Sequence, residues 1–581
     1  MINQSKIIKA GLTVALIVGA TIFFGHVYPH HLHYQEQFQI FMFTGSYAAE
    51  VIMTPGGLAD YLGRFFTQFF FSSGLGAILI GLLLAGIQLA MWGLMAERPL
   101  WAYPLSFIPS IALWMHLCDE NSLMGATVAV LLSLLCALAA RQIKNPMVQL
   151  VVMLITTPLM LWLCGALGVA YPLVLLARMK WHRAWSAIAW VCLTACVVAG
   201  TFAAQRYVHA LPLGRVVSGI HYYRFPQIIA AWPWVAVLAS AAIALVSRWL
   251  KPVAKGSKMR YAVLGALIVV IGGSGFAGVN RCSDMGKEEL MAYDYWARTK
   301  QWSKIVDKAL KKNPDVPMSV ACLNLALAKT GQLADYMFLF YQNGSQGLLP
   351  TFVRDFTSPL ATSEAYYHLG FLNTAQRFTF EAQEAIPDFQ KSGRCYKRLA
   401  ETSMLTGNKA VAQKYIKSLQ HTLVYRNWAN WAQEMLDNPD GLKDNPEYSW
   451  LSAAQSRGDF YYSEDEMDSM LGLLFQQSST NKMAYEYLMA WCLLNKNLPR
   501  FEQCYPIGAG LGYDHIPMAY QEALALHWTR LGNPLETIPW VVSDQVCQRM
   551  AQFIADVQAQ RPRSYMLNAY RGSYWAYYFF K

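Results

Sequence analysis

Acidic side chains are scarce in the first half of this 581-residue chain. Only 14% of all residues are charged and 55% are hydrophobic, far below the roughly 25% charge usual in soluble domains, which excludes a wholly water-soluble protein. Residues 1–279 hold six acids (Glu36, Glu50, Asp60, Glu97, Asp119, Glu120) against seventeen Lys and Arg. The remaining 302 residues carry thirty charges of each sign, so the net +11 belongs to the first half. Such an excess follows from cations flanking membrane spans and gives no argument for nucleic acid, which is set aside as a partner. Closely spaced cysteine motifs are missing from the second half too. The six of the second half (Cys282, Cys322, Cys395, Cys492, Cys504, Cys547) are widely spaced with no C-x-x-C. Buried apolar thiols are expected for most, with disulfide pairing left open.

Long apolar runs fill the space that charge leaves. Crossing roughly 30 Å of hydrocarbon takes about 20 residues, and suitable stretches lie near 7–28, 69–95, 100–117, 123–140, 147–163, 166–178, 184–204, 228–247 and 261–278. Pro158, Gly165, Gly168 and Pro172 break the run 147–178 into two. Nine spans place thirteen cations on one face and four on the other, as the positive-inside rule requires; eight would put two of the richest basic loops on the wrong side. The N-terminus is then cytoplasmic, with the first span a retained anchor. Outside lie the loop 29–68, the short "CDENS" loop, the loop 205–227 and everything after residue 279.

Five of the six first-half acids fall on that outer side. Burying one at membrane depth costs about 2.5–3.5 kcal/mol, so the adjacent Asp119 and Glu120 in "LWMHLCDENSLMG" sit at the water boundary or serve a function. Capping of a helix beginning at Ser122 is the structural alternative. In the first outer loop, Tyr34, Phe38, Phe41 and Met42 have helical spacing. After Pro55, Gly56 and Gly57, Leu58, Tyr61, Leu62, Phe65, Phe66 and Phe69 form one apolar stripe, with Asp60 and Arg64 paired on the opposite face. Both helices are expected in the interface plane, placing Glu36 at headgroup depth.

A long first outer loop bearing an acid and membrane-parallel helices, with an acidic pair after the third span, resembles the GT-C superfamily of glycosyltransferases. The likeness covers about 120 residues and rests on layout. It implies transfer of a sugar or glycan from a polyprenyl-phosphate or pyrophosphate donor at the outer face of a bacterial inner membrane. Glu36 takes the place of the first-loop acid, as base or metal ligand; Asp119 and Glu120 take that of the acids that hold metal, Mg or Mn, or acceptor. Many members carry Asp where this chain has Glu36, and no D-x-D is present. The residues support the same chemistry directly: a carboxylate accepts the proton of the attacking hydroxyl, and Arg206, Arg215 or Arg224 steadies the departing phosphate through its planar fork. His31 and His33 of "HHLH" are further substrate contacts; with His30 and Glu36 they also have the composition of a zinc site, although histidine near a span end is commoner.

Beyond residue 279 the pattern changes to amphipathic helices joined by tight turns, at Lys300, Gly331, Gly407, Lys496 and Gly532. Their intervals of 31, 76, 89 and 36 residues approximate multiples of a 34-residue helical hairpin. The pattern resembles tetratricopeptide repeats, which implies a solenoid with a concave binding face. The aromatic tail "RGSYWAYYFFK" is expected to pack on the last hairpin.

The sequence therefore predicts an all-α protein: a membrane domain of about nine spans over 1–279 and an extracytoplasmic, periplasmic repeat domain over 280–581. The expected activity is GT-C-like glycosyl transfer, with the repeats recruiting a protein or glycan acceptor. A non-catalytic membrane-anchored scaffold for envelope assembly is the alternative, and a lipid-linked-glycan carrier a third reading.

Overall fold

The computed structural model describes residues 4–178, 183–207, 212–225, 227–250, 258–455 and 462–581. Lys180, Lys251 and Lys255, three of the thirteen cations assigned to one face, lie outside these residues, as do 208–211 and 226 of the loop 205–227. The described chain is helical throughout. Its one ladder pairing is an isolated bridge between Ser122 and Tyr223.

Two compact units are present. The first comprises residues 1–289 together with 387–394 and 418–427. The division thus falls ten residues later than the expected 279, and two short segments of the second half belong to the first unit. A glycine-rich, charge-poor span reads as a domain edge, whereas these segments carry no compositional mark.

In the first unit the helices are α1 (Gln4–Ile22, extended by a π-helical turn Phe23–Val27), α2 (Pro29–Gln37), α3 (Gly45–Ile52), α4 (Gly57–Thr67), α5 (Ser73–Leu94), α6 (Ile108–Leu117, entered through a 3-10 segment Leu100–Phe107), α7 (Met124–Ala140), α8 (Pro146–Cys164), α9 (Ala170–Arg178), α10 (Arg183–Tyr207), α11 (Leu213–Ser218), α12 (Ala231–Val246) and α13 (Lys258–Cys282); α14 (Met285–Arg298) begins here. Helix therefore occupies every apolar run named from the sequence. Five stretches are long and apolar enough to cross a membrane: Gln4–Val27, Ser73–Leu94, Pro146–Arg178, Ile188–Tyr207 and Lys258–Cys282. Exposed rows such as Leu75, Leu82 and Leu89 on α5, Val151, Ile155 and Leu159 on α8, and Val269, Val270 and Phe276 on α13 form a surface suited to hydrocarbon rather than water.

Pro146–Arg178 is a hairpin, not a rod. The hydroxyls of Thr156 and Tyr171 are 2.7 Å apart, whereas fifteen residues of straight helix span about 22 Å. The reversal occurs at Gly165, whose φ of +67° suits glycine. Polar breaks consequently gather at two ends of the unit. At one end Gly56 N–H donates to Trp162 O (2.7 Å), and the Tyr222 hydroxyl donates to Cys164 O (2.6 Å) while accepting from Leu167 N–H (2.8 Å). At the other, the amides of Ala96 and Glu97 donate to Ser247 and Lys9 lies over the Trp92 ring.

The first outer loop departs from expectation in two respects. Helix α2 ends at Gln37, and the chain beyond leaves the helix, where Ile40 N–H donates to Lys391 O (2.9 Å) and Phe43 N–H to His421 O (2.8 Å). Helix α4 packs on the bundle: a Cβ at Gly63 would lie 2.5 Å from Gly125 N of α7. Its Tyr61 and Phe65 cover a small cluster of Phe41, Tyr47 and Val51, so the aromatic stripe is largely satisfied by protein.

The second unit repeats one device. Among the described residues, Lys300, Gly331, Gly370, Gly407, Lys496, Gly532 and Gln560 all have positive φ, between 52° and 97°. Each donates to the carbonyl three residues back, and its successor to the one five back, the Schellman closure that ends a helix and starts the next. Five of these turns were read from the sequence. Gly370 divides the 76-residue interval into 39 and 37, and its "YHLGFLN" context differs from the others in having phenylalanine where the other turns are followed by Gln, Asn or Arg. The aromatic tail packs inward as expected: Trp575 Nε1 donates to Glu522 O (2.8 Å) and the Tyr577 hydroxyl to Leu494 O (2.7 Å). All eleven cysteines are free thiols.

Candidate functional site

At the polar end of the first unit two turns are zipped together. Around the Ser122–Tyr223 bridge, Leu123 N–H donates to Tyr222 O (3.1 Å) and Arg224 N–H to Asn121 O (2.7 Å), satisfying backbone groups that burial would leave without water. The pairing places Asp119 beside Tyr223, whose hydroxyl donates to Oδ2 at 2.9 Å. Oδ1 accepts Asn121 N–H at 2.8 Å. Glu120 Oε1 accepts from Lys287 Nζ (2.6 Å) and Asn121 Nδ2 (3.1 Å). Arg224 is 1% exposed, with its guanidinium 4.9 Å from the centroid of the Phe38 ring. Burial, reinforced by the Glu120 charge, raises the Asp119 carboxyl above its usual range. Burial lowers Arg224, against the opposing pull of Tyr34, Glu120, Tyr223 and Asp119.

The acids do not cap the following helix. Helix α7 starts at Met124, its N-cap is Leu123, and no side chain bonds there; both carboxylates are engaged by donors elsewhere.

Helix α2 carries the remaining groups, because successive residues 100° apart reach different partners. Gln35 Nε2 donates to Asp119 O (3.3 Å), Ser122 O (3.2 Å) and Ser122 Oγ (3.1 Å). Glu36, 4% exposed, accepts the Tyr425 hydroxyl at 3.1 Å on Oε1 and 3.4 Å on Oε2. Gln37 Oε1 accepts from Arg394 Nη1 (3.0 Å). A Cβ on Gly393 would stand 2.5 Å from the Tyr425 ring, so that glycine lets the tyrosine reach Glu36. The helix is anchored at its other end by Glu288, whose two oxygens accept the amides of His30 (2.8 Å) and His31 (2.9 Å) at the positive pole of the dipole. Burial nevertheless pushes the Glu288 carboxyl up to about 7.

His31 has no exposed surface. Its Nε2 lies 2.8 Å from Leu117 O, its ring stacks on Tyr28 at 4.7 Å, and burial lowers its pKa to about 3. It holds α2 in place as a neutral group, a correction to its expected substrate contact. His33 is buried at 7%. Arg206 is exposed at the last turn of α10, and Arg215 pairs with Asp388, so the structure gathers Asp119, Glu120 and Arg224 but places these two arginines elsewhere.

Asp60 is also corrected. Expected on the face opposite the apolar stripe, it is 1% exposed, held by Arg64 Nε (3.0 Å) and Nη2 (2.6 Å), with His221 Nδ1 at 3.5 Å. Burial opposes its ionisation, yet Arg64 and His221 keep the carboxyl below its usual range.

The donor set at Asp119 and Glu120 does not suit a divalent cation: an ammonium already sits on Glu120, and no group of three or more His, Cys, Asp or Glu is assembled among the described residues. Sequence reasoning missed Gln35, Tyr223, Lys287, Glu288, Arg394 and Tyr425. Tyr223 was legible as the neighbour of Arg224 in "HYYRF". Tyr425, 389 positions from Glu36, carried no signal.

Fold and site together define a helical protein with segments apolar enough for a membrane and a buried carboxylate–arginine cluster at one end of its apolar unit. The chain belongs to the family described as DUF6057, a family of unknown function, which it matches over residues 3–581. No curated protein and no solved structure matches it.

Proposed function

We propose that this chain is a polytopic inner-membrane glycosyltransferase of GT-C-like layout, taking a sugar or glycan from a polyprenyl-linked phosphate at the outer face. The observation that carries the reading is the Glu36 carboxylate receiving a hydroxyl at 3.1 Å, the relation a general base makes with an attacking alcohol. Tyr425 holds the position a substrate hydroxyl takes after it turns aside. Arg224 and Lys287 lie on the neighbouring turns, where a leaving phosphate gains from charge-assisted hydrogen bonds. Glu36 accepts the proton as the acceptor oxygen attacks the anomeric carbon, and the bond to the phosphate oxygen breaks with its electron pair leaving on phosphate. No step runs through a metal ion.

The nine-span topology belongs to this proposal. The reversal at Gly165 supports two arms rather than one in Pro146–Arg178, and with α6, α7 and α12 the passes alternate. The site then lies outside and Lys9, Arg98, Arg141 and Arg178 lie inside. The second unit is read as a periplasmic, tetratricopeptide-like array that recruits the acceptor.

A scaffold is favoured by a different observation: Glu36 is already satisfied by the chain's own tyrosine. Cells carrying Glu36→Gln, matched for expression, separate the two. Transfer predicts loss of a glycan class with accumulation of its lipid-linked precursor by mass spectrometry. An unchanged profile in that variant, beside a defect on full deletion, sinks the enzyme and leaves the scaffold.

A further inference from the structure

Lys496 closes one of the left-handed turns of the second unit, and the two helices it joins, Lys482–Leu494 and Leu498–Cys504, each contribute a cysteine to one spot. The Cys492 thiol donates a hydrogen bond to Cys504 Sγ, so the two sulfurs meet across the hairpin, as a disulfide requires. Cys492 is 1% exposed and Cys504 4%, within one buried cluster. Beside both lies the Arg500–Asp468 ion pair, Nε to Oδ2 at 2.7 Å, whose side chains reach the surface.

The two thiols differ in character. The hydrogen bond from Cys492 holds the Cys504 thiol below its usual range, and the Arg500 guanidinium adds to this against burial and the Asp468 charge. The same hydrogen bond, with burial, pushes Cys492 up. Burial also raises Cys547, although that thiol is the more exposed. Oxidants react with thiolate rather than thiol, so exposure alone favours attack at Cys547 whereas this geometry favours Cys504. Packing of inert apolar thiols needs neither their mutual contact nor a neighbouring guanidinium.

We infer that Cys504 and Cys492 form a peroxide-oxidisable dithiol, with Cys504 as the attacking thiolate and Cys492 as the thiol that resolves it into a disulfide. Cys504 Sγ attacks one oxygen of hydrogen peroxide; an S–O bond forms, the O–O bond breaks, and the other oxygen takes a proton and leaves as water. The product is a sulfenic acid. Cys492 then gives up its proton and attacks that sulfur; the S–S bond forms, the S–O bond breaks, and the departing hydroxide takes the proton as a second water. The two sulfurs are oxidised and the two peroxide oxygens reduced. The disulfide ties the two helices together beyond their turn. This chemistry is independent of the transfer reading, whose residues Glu36, Asp119, Glu120 and Arg224 belong to the other unit.

The test treats the reduced full chain in detergent with equimolar hydrogen peroxide, alkylates what remains with iodoacetamide under denaturing conditions, and maps tryptic peptides. Cleavage after Lys496 and Arg500 puts Cys492 and Cys504 on separate peptides. The expected result is a disulfide joining those two peptides while Cys547 is still open to alkylation. In Cys492→Ala the reaction is expected to stop at a sulfenic acid on Cys504, captured by dimedone, and in Cys504→Ala the Cys492 thiol is expected to stay reduced. The inference is overturned by recovery of Cys492 and Cys504 both alkylated, by Cys504 joined to a different cysteine, or by Cys547 reacting first. Should either variant misfold, the wild-type peptide map decides alone, since each of these outcomes is read there.

Discussion

The two units solve the burial of charge in opposite ways. In the first, charged groups sit at one end of an apolar bundle, where Glu36, Asp60, Arg224 and Glu288 are each under 8% exposed. In the second, amphipathic hairpins close through a repeated backbone turn, and buried charge is met by a local network: Arg398 reaches Glu364 (2.6 Å) and Glu401 (3.0 Å) and lies 3.5 Å from the Tyr367 ring centroid. The first arrangement joins residues as much as 389 positions apart. The second joins neighbours within three helices and points to stability.

That contrast breaks most forcefully at its charged centres. Under the transfer reading, Glu36→Gln lowers turnover by about a hundredfold or more with little change in melting temperature, as radiolabelled transfer and thermal melts in detergent would measure. Arg398→Ala does the reverse, destabilising by about 3–5 kcal/mol because two carboxylates lose their partner, with the Glu36 site still functional in whatever fraction is folded. Tyr425→Phe removes a hydrogen bond to a carboxylate, a loss of about 1.5–3 kcal/mol visible as an earlier first transition on melting.

Smaller effects sharpen the comparison. Gly370→Ala places a side chain at φ +97° and 2.9 Å from Ala454 O, costing about 1–2 kcal/mol. Lys496→Gly relieves a left-handed lysine at φ +57° and is expected to stabilise by up to about 1 kcal/mol. Glu288 gives a pH signature. Its folded pKa, about 7, lies above that of an unfolded glutamate, so its contribution is fully present below the unfolded value of about 4.3 and is lost as pH rises through 7. Melting temperature in Glu288→Gln should therefore fall less between pH 5 and 8 than in wild type.

The sequence by itself determined the helical class, the apolar helices of the first unit and five of the seven Schellman turns described in the second, because each depends on local composition. Hydrophobic run length, proline and glycine breaks and turn residues act within a few positions. It also marked Glu36, Asp119, Glu120 and Arg224 as candidates. Only the tertiary structure decided their company. The pairing of residues 121–123 with 222–224, the carboxylate of Glu288 on the start of α2, and Tyr425 on Glu36 are long-range contacts, set by which buried polar groups find partners once the helices pack. Asp60 makes the same point in reverse: its i,i+4 partner was legible, but whether the pair met water or His221 depended on α4 crossing α7 through Gly63 and Gly125. Periodicity reveals which face of a helix is polar; the neighbour that face meets is fixed by packing.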